Sequence, residues 1–315
     1  MNEDGSADAA WYADDPEVAI DAALVRRLVA KQYPQWAQLP VTPVEPGGWD
    51  NRTFRLGDEL KVRLPSAARY MSQVEKEHRW LPQLAPKLPL PIPHPVAIGA
   101  PDDQFPYPWS ILRWLDGESA LTAQIVNLTD FAVALAEFIG ALQRIDPSGG
   151  PPPGRHSFYR GAPLQVYDEE TREAIRSLQG HIPSRAAEDV WNAALKASWR
   201  GTPVWFHGDV AAGNLLVREG RLAAVIDFGQ CGVGDPACDM AIAWTLLSGQ
   251  SREAFRSTVR ADSATWQRGR GWALWKALIT LAAHRDGDDE ARDARRVIQW
   301  VLTDSSQEMP ARQPS

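Results

Sequence analysis

The spacing of apolar residues near the start of the chain predicts a helix from about Asp15 to Gln32. Asp15 is a helix-capping residue type, and Pro16 suits the first helical turn. The apolar positions that follow recur every three or four residues, as they do in a helix that buries one face. They are Val18, Ala22, Val25, Leu28 and Val29.

Short apolar stretches separated by turn residues then replace the helical spacing, which predicts antiparallel strands. The predicted strands are Val41 to Pro46, Thr53 to Leu56, Leu60 to Leu64 and Trp109 to Leu115, the last of which ends an N-terminal lobe. Between the last two strands, helical spacing returns from Ser72 to Leu84. The proline-rich segment from Pro86 to Pro95 suits neither a helix nor a central strand, so we interpret it as a connector.

Helical patterns dominate the rest of the chain. Apolar or amphipathic stretches predict helices from Val126 to Ile145, from Glu169 to Leu178 and from Ala186 to Trp199. Tryptophans in the C-terminal part are most often core residues, although some could line a pocket for a bulky acceptor. They are Trp244, Trp266, Trp272 and Trp275.

The composition narrows the classes of protein to consider. The chain has 315 residues, and 40 acidic against 33 basic side chains argue against an extended nucleic-acid-binding face. No apolar run of about 18 residues could span a bilayer, and the acidic N-terminus lacks the order of a secretory signal. Cys231 and Cys238 fit neither a disulfide framework nor a zinc site. We therefore expect a soluble, cytoplasmic protein with no nucleic-acid, membrane or protein partner.

Three oxygen-bearing side chains follow one another closely after the apolar stretch Val204 to Phe206. Asp209 ends a His-Gly-Asp sequence, Asn214 comes five positions later, and Asp227 begins an Asp-Phe-Gly sequence after a predicted hairpin. Phosphoryl transfer from a nucleotide needs a carboxylate beside the acceptor hydroxyl and hard oxygen ligands for Mg²⁺. Asp209 is therefore the candidate catalytic residue, and Asn214 and Asp227 are the candidate metal ligands.

This ordered set resembles the aminoglycoside phosphotransferase family, which has a protein-kinase-like fold. The resemblance is carried by His207-Gly-Asp209-x-x-x-x-Asn214, Ile226-Asp227-Phe228-Gly229 and Gly234-Asp235-Pro236-Ala-x-Asp239. It implies an α+β, bilobal fold with an N-terminal antiparallel sheet lobe over residues 1–116 and a larger, mainly helical C-terminal lobe over residues 117–315. It also implies a kinase that uses Mg²⁺ and ATP or GTP. His207 and Asp239 would then brace the catalytic loop.

The resemblance further implies a cation that holds the nucleotide phosphates and an acid that anchors it. Matching the family's strand up to the Leu64-Pro65 step places Arg63 at the position of the usual lysine, which is a departure from the family pattern. Lys61 points to the same face of the strand and is the alternative. On the following helix, Glu77 matches the anchoring acid and Glu75 is the fallback, while a solvated helix face would explain either acid without a function.

Two further segments are implied to contact the nucleotide. The turn Gly47-Gly48-Trp49-Asp50-Asn51 lies where a kinase-like fold covers the phosphates, and Asn51 is its candidate contact, although a plain hairpin turn explains the same residues. Arg113, Trp114 and Leu115 would form the hinge between the lobes. Recognition of the base at a hinge uses main-chain groups, so Trp114 and Leu115 are candidate contacts that do not separate ATP from GTP.

The expected acceptor is a small hydroxylated molecule, first of all an aminoglycoside-like antibiotic. A polycationic acceptor needs carboxylates around the cleft, and two acidic groups are candidates, although charge runs are usually solvated loops. They are Asp168, Glu169 and Glu170, and Asp286, Asp288, Asp289 and Glu290. The alternatives are a macrolide, a sugar or an amino alcohol as acceptor, or a nucleotide-binding module without transfer. A protein kinase is disfavoured because no activation segment follows Gly229.

Overall fold

The N-terminal part of the protein is built around an antiparallel sheet. The computed structural model describes residues 19–45, 47–48, 50–285 and 287–304. The strands are β1 (Val41–Pro43), β2 (Asn51–Leu56), β3 (Leu60–Pro65), β4 (Pro95–Gly99) and β5 (Trp109–Arg113), and the helices are α1 (Ala22–Gln32) and α2 (Met71–Leu84). The five strands lie in the order β1-β2-β3-β5-β4, so that β3 is central.

The first helix begins later than the sequence pattern predicts. Asp21 caps it, because the Asp21 side chain accepts a hydrogen bond of 2.7 Å from the backbone N–H of Leu24. Residues 19–21 are not helical, so a continuous helix from Asp15 is wrong, and Asp15 itself lies outside the described residues. An aspartate at either position suits a cap by residue type, and only the local backbone decides which one accepts the hydrogen bond. The predicted apolar face is buried at Val25, Leu28 and Val29.

Strand β4 is a second departure from the sequence pattern. The pattern assigns Pro95 to a connector and predicts no strand after it, whereas Pro95–Gly99 pairs with β5 at the edge of the sheet. Proline is tolerated at the first residue of an edge strand because no ladder hydrogen bond is needed from its nitrogen. The neighbouring predictions for α2 and β5 are confirmed to within two residues at each end.

The C-terminal part is mainly helical and contains two small sheets that carry the candidate catalytic segment. Strands β6 (Glu118–Ser119), β8 (Leu215–Arg218) and β9 (Arg221–Val225) form one sheet, and β7 (Val204–Phe206) pairs with β10 (Gly232–Gly234) in the other. The helices are α3 (Leu128–Gln143), α4 (Asp168–Ser177), α5 (Ser184–Lys196), α6 (Ile242–Thr245), α7 (Gly249–Val259), α8 (Ser263–Ala283) and α9 (Asp289–Thr303).

Two hydrophobic cores stabilise the two parts. One lies between α1 and the five-stranded sheet and contains Leu28 and Trp109. The other extends from the end of α2 through the C-terminal helices and contains Trp80 and Trp205, whose rings meet edge to face with centroids 5.0 Å apart. The four C-terminal tryptophans belong to this second core. The predicted α+β fold, with a sheet in the N-terminal part and a larger helical part, is confirmed. Within the described ranges, no helix combines the length and apolar character needed to cross a membrane.

Candidate active site

A buried carboxylate holds the loop that carries Asp209. Asp239 lies in a short 3₁₀ turn after β10, and its two oxygens accept hydrogen bonds of 2.8 Å from the backbone N–H groups of His207 and Gly208. Burial raises the pKa of Asp239, whereas the two N–H groups favour the ionised carboxylate and act in the opposite direction. Gly208 has a φ of +87°, and a Cβ there would lie 2.6 Å from the Gln230 carbonyl oxygen, so this turn requires glycine.

His207 braces the same loop through both ring nitrogens. Its Nδ1 accepts from the backbone N–H of Asp209 at 3.2 Å, and its Nε2 donates to the Ile226 carbonyl oxygen at 3.0 Å. One accepting and one donating nitrogen correspond to a neutral imidazole. Because the backbone uses both nitrogens, His207 has no free nitrogen for proton transfer, which agrees with the structural interpretation of this residue.

Asn214 lies beside Asp209. The Asn214 Nδ2 atom donates to the backbone carbonyl oxygen and to Oδ2 of Asp209, both at 2.9 Å. The backbone N–H of Ile226 donates to the backbone carbonyl oxygen of Asn214 at 2.9 Å. This bond joins the turn at Asn214 to the segment that leads into Asp227. Since Asp209 occupies the amide nitrogen, the side-chain amide oxygen is the group of Asn214 that remains for a metal ion.

Asp227 follows β9 at a left-handed backbone position, with a φ of +64°. Non-glycine residues in this conformation are uncommon and cluster at functional sites. The Asp227 side chain is 32% exposed, and its Oδ1 accepts from Nη2 of Arg63 at 2.9 Å. Burial pushes the pKa of Asp227 upward, but the Arg63 guanidinium, together with His207 and the Gly229 N–H, outweighs burial, and the pKa lies below its ordinary value.

The side-chain oxygens of Asn214 and Asp227 fit Mg²⁺, which also takes ligands from phosphates and water, better than a metal ion that protein groups alone must hold. In the described part of the chain, no three or more His, Cys, Asp or Glu side chains are grouped so that they could hold a metal ion. Asn214 and Asp227 supply one amide oxygen and one carboxylate oxygen. Mg²⁺ is commonly held in this way, by one or two protein oxygens together with substrate phosphates and water.

Arg63 forms the buried ion pair of the N-terminal sheet. Its Nη1 lies 3.0 Å from both carboxylate oxygens of Glu77 on α2, and the two side chains are 8% and 4% exposed. Glu75, in contrast, is exposed. Lys61 has neither an ion pair nor a hydrogen bond to its side chain among the described residues, and burial lowers its pKa to about 8. The structure therefore pairs Glu77 with Arg63 and brings Arg63 to Asp227.

The other predicted nucleotide contacts lie in the turn before β2 and after β5. Asn51 is buried at the start of β2, while Trp49 lies outside the described residues. The backbone N–H of Trp114 donates to the Glu59 carbonyl oxygen at 2.8 Å, and its indole Nε1 donates to Asp116 Oδ1 at 3.0 Å. Among the described residues, no backbone hydrogen bond engages the Trp114 carbonyl oxygen or the main chain of Leu115, so these groups remain for a ligand at the predicted hinge.

Asp50, in the turn before β2, is a third carboxylate close to those of Asp209 and Asp227. The sequence pattern predicts only a turn at this position. The Asp50 carbonyl oxygen accepts from the backbone N–H and the hydroxyl of Ser66, at 2.9 and 3.1 Å, which fixes the turn to the end of β3. Burial, together with the nearby charges of Asp227 and Asp209, raises the pKa of Asp50 to about 6. The sequence holds no signal for this proximity, because only folding brings position 50 close to the segment that carries Asp209 and Asp227.

We expect Asp50→Asn to stabilise the protein more at pH 7.5 than at pH 4.5. The folded protein keeps the Asp50 proton up to a pKa of about 6, whereas the unfolded chain releases it near the ordinary value of 3.8. Stability therefore falls as pH rises through this window, and the asparagine variant lacks that fall. After allowance for solvent screening, the stabilisation by Asp50→Asn should be about 1 to 2 kcal/mol larger at pH 7.5 than at pH 4.5.

The measurement is the free energy of unfolding by denaturant at both pH values. Asp58→Asn, in the exposed turn between β2 and β3, is the matched control and should show no such growth. An equal effect of Asp50→Asn at pH 4.5 and pH 7.5 would show that Asp50 is not held near the other two carboxylates.

The acidic residues expected around a polycationic acceptor are partly engaged by the protein itself. Asp168 pairs with Arg172 at 2.8 Å and accepts from the indole of Trp191 at 2.7 Å. Glu170 accepts from Nε1 of Trp275 at 2.7 Å. The remaining candidates within the described residues are exposed, and Asp286 lies outside those residues. They are Glu169, Asp288, Asp289 and Glu290.

Comparison with known proteins places this arrangement among the phosphotransferases. The model of the phosphotransferase enzyme family (APH) matches residues 41–272. An aminoglycoside 3'-phosphotransferase of Escherichia coli is 39% identical over 62 residues, which are 19% of this chain and 23% of that relative.

Solved structures of similar fold cover nearly the whole chain. The GDP complex of wild-type aminoglycoside 2'-phosphotransferase IIIa is 16% identical, covers 90% of this chain and 99% of its own, and has a TM-score of 0.67. A macrolide 2'-phosphotransferase from Brachybacterium faecium is 21% identical, covers 89% of this chain and 98% of its own, and has a TM-score of 0.58. At these identities the likeness shows a shared fold.

Proposed function

The chain belongs to the phosphotransferase enzyme family, and we propose that it moves the γ-phosphate of ATP or GTP to a hydroxyl group of a small molecule. The contact between Asn214 and Asp209 carries this proposal. The amide nitrogen of Asn214 bonds to the Asp209 carboxylate and leaves the amide oxygen for a metal ion. A carboxylate for the acceptor hydroxyl and a metal ligand are thus one hydrogen bond apart, and phosphoryl transfer depends on such positioning.

Asp209 acts on the acceptor hydroxyl. Its backbone N–H is held by His207 and one carboxylate oxygen by Asn214, so the position of the carboxylate is restricted. An ordinary carboxylate is a weak base, and the hydroxyl proton leaves late in a loose transition state. Asp209 therefore chiefly orients the hydroxyl oxygen towards the γ-phosphorus and receives the hydroxyl proton as the new O–P bond forms. The bond between the γ-phosphorus and the bridging oxygen breaks, and the nucleoside diphosphate leaves.

Asn214 and Asp227 are the proposed magnesium ligands. When bound there with the nucleotide, Mg²⁺ supplies positive charge to the phosphate oxygens. Because the pKa of Asp227 lies below its ordinary value, the carboxylate is ionised before a metal ion arrives. The ion pair between Arg63 and Asp227 also places the proposed phosphate-binding cation next to the proposed metal ligand.

Residues 1–116 are the proposed nucleotide-binding lobe, and residues 117–315 form the lobe for catalysis and the acceptor. Arg63, fixed by Glu77, contacts the phosphates, and Asn51 lies at the start of the strand that follows the covering turn. The Trp114 carbonyl oxygen and the Leu115 main chain contact the base. Similar solved structures include one complex with GDP and one with ATP and streptomycin, so both nucleotides are candidate donors.

A transfer assay tests the proposed function. The protein is incubated with Mg²⁺ and ATP or GTP against aminoglycosides, macrolides, sugars and amino alcohols, and the mass gain of each acceptor is measured. An aminoglycoside comes first because of the resemblance, and a macrolide second because of the Brachybacterium relative. We expect at least one acceptor to gain a phosphate in a reaction that a metal chelator stops.

The same assay separates the enzyme from its main alternative. If a nucleotide binds but no acceptor in any class gains a phosphate or raises nucleotide turnover, the chain is a nucleotide-binding module and the proposed transfer is wrong. Nucleotide binding is measured separately by calorimetry so that the two results are not confused.

A further inference from the structure

A buried arginine in the C-terminal part has no acidic partner. Arg160 is 9% exposed, and its Nη1 donates to the hydroxyl oxygen of Tyr167 at 2.9 Å. Its guanidinium lies over the ring of Trp275 at 4.6 Å and over that of Trp272 at 5.2 Å. Across the residues that the structure describes, no carboxylate lies within ion-pair distance of Arg160.

The hydrogen-bonding capacity of Arg160 is therefore largely unused. A guanidinium has five N–H donors, and Tyr167 occupies one of them. The aromatic rings offset part of the cost of burying the charge, but they accept no conventional hydrogen bond. A buried cation without a counter-charge is strongly unfavourable, so this environment favours the arrival of an anion.

The backbone holds Arg160 in place. Phe158 and Tyr159, just before it, have left-handed φ angles of 48° and 59°. Two successive non-glycine residues in this conformation persist only where the surroundings fix them. The Tyr167 hydroxyl donates to the Phe158 carbonyl oxygen, so the hydrogen-bond partner of Arg160 is tied to the same turn. Arg160 is thus a positioned side chain.

Lys276 brings a second cation to the same region. It follows Trp275 on α8, is exposed at the surface of that helix, and forms no ion pair with a described residue. The protein groups around its ammonium partly exclude water, and this desolvation and the charge of Arg160 lower the pKa of Lys276, whereas Asp209, Asp50 and Glu170 act in the opposite direction. Lys276 is therefore within electrostatic reach of both Arg160 and the catalytic loop.

Three acids of the C-terminal part make hydrogen bonds or ion pairs with other groups of the protein. Glu170 accepts from the Trp275 indole, and Asp235 forms a buried pair with Arg268 at 2.6 Å. The Asp239 carboxylate accepts hydrogen bonds from the backbone N–H groups of His207 and Gly208. Asp209 and Asp50 lie within electrostatic reach of Lys276, but among the described residues neither Arg160 nor Lys276 forms an ion pair with a carboxylate.

We propose that Arg160 and Lys276 form a subsite for an anionic group of the acceptor, a carboxylate or a phosphate. The proposal rests on the proposed function, because the role of Asp209 makes this side of the cleft the acceptor side. Arginine binds either anion through two parallel hydrogen bonds, and lysine adds a point charge. The subsite selects hydroxylated acceptors that carry an acid group, and a polycationic acceptor would leave both cations unpaired.

Calorimetry on the full chain tests the subsite. The nucleotide site is first filled with Mg²⁺ and a non-hydrolysable ATP analogue, and inorganic phosphate, glucuronate or glucose is then titrated. We expect phosphate or glucuronate to bind and uncharged glucose not to bind. Lys276→Gln should weaken anion binding about 10- to 100-fold, as the loss of a charged hydrogen bond does. Lys196→Gln, an exposed lysine at the end of α5, should bind as the wild type does.

Each outcome decides the proposal. Binding of phosphate alone or of glucuronate alone identifies which anion the acceptor carries. If neither anion binds the wild type, or if Lys276→Gln binds as tightly as the wild type, the subsite does not exist. Arg160→Gln is a second variant, but it changes a buried side chain. If that variant does not fold, the result with Lys276→Gln, at an exposed position, decides. Calorimetry measures binding and not transfer. The absence of phosphate transfer would therefore contradict the proposed function, whereas the subsite would still be decided by anion binding.

Discussion

Asp209→Asn should lower turnover by about 10²- to 10⁴-fold, which is the usual contribution of a positioned general base. Asparagine keeps the size of the side chain and an oxygen that accepts from Asn214 Nδ2, so the loop geometry is retained. It cannot accept the hydroxyl proton. The KM for the nucleotide should change little, since Asp209 is not among the proposed nucleotide contacts. Initial rates with the best acceptor, measured at varied nucleotide concentration, check both expectations.

The control for this experiment is Asp189→Asn, an exposed aspartate on α5 that should keep full activity. Unfolding curves of both variants should match that of the wild type, because neither change alters a buried contact of Asp239 or His207. Full transfer by Asp209→Asn would show that the catalytic residue is misassigned.

Arg63→Met should destabilise the protein by about 3 to 5 kcal/mol, the cost of leaving one partner of a buried ion pair uncompensated. The buried partner left behind is Glu77, whose side chain is 4% exposed, whereas Asp227, which also loses Arg63, is 32% exposed. Lys61→Met, two residues away on the same strand, should be neutral or stabilising, because burial already opposes the charge of Lys61 and no acid pairs with it. The free energy of unfolding by denaturant, measured without nucleotide, distinguishes the two variants.

A double variant provides the control for the ion pair. Arg63→Met combined with Glu77→Met should recover most of the lost stability, since no unpaired buried charge remains at that position. If Arg63→Met and Lys61→Met change the free energy of unfolding equally, the contact between β3 and α2 does not depend on the Arg63 ion pair.

The candidate catalytic residues could be recognised from the sequence because they lie close together in the chain. Asp209, Asn214 and Asp227 occupy one loop and one hairpin, and the turn residues between them already predict that the segment folds back on itself. The same local character made α2 and β5 predictable. Even at this scale the beginning of α1 was missed, since Asp15 and Asp21 are equally suitable caps by type.

Contacts between distant segments carried no such signal. The choice between Arg63 and Lys61 depends on Glu77, fourteen positions after Arg63, and on Asp227, which follows β9 in the C-terminal part. Residue type and strand period leave both cations possible. Asp50 resembles an ordinary turn residue until folding places it near two other carboxylates. Arg160 stands in an unremarkable loop until α8 brings two tryptophans over its guanidinium.

The sequence by itself therefore determined the fold class, the order of the catalytic segment and its three oxygen-bearing side chains. The resemblance of its motifs to a known family implies the fold class, and short-range spacing and turn chemistry specify the local elements and the order of the three side chains. Only the tertiary structure decided which cation pairs with Glu77, that Asp50 lies near the carboxylates of Asp209 and Asp227, and that Arg160 is buried without an acidic partner among the described residues. Those features depend on burial and on charges from separate elements, and electrostatic energies follow the distance between groups and the exclusion of water, which spacing along the chain does not encode.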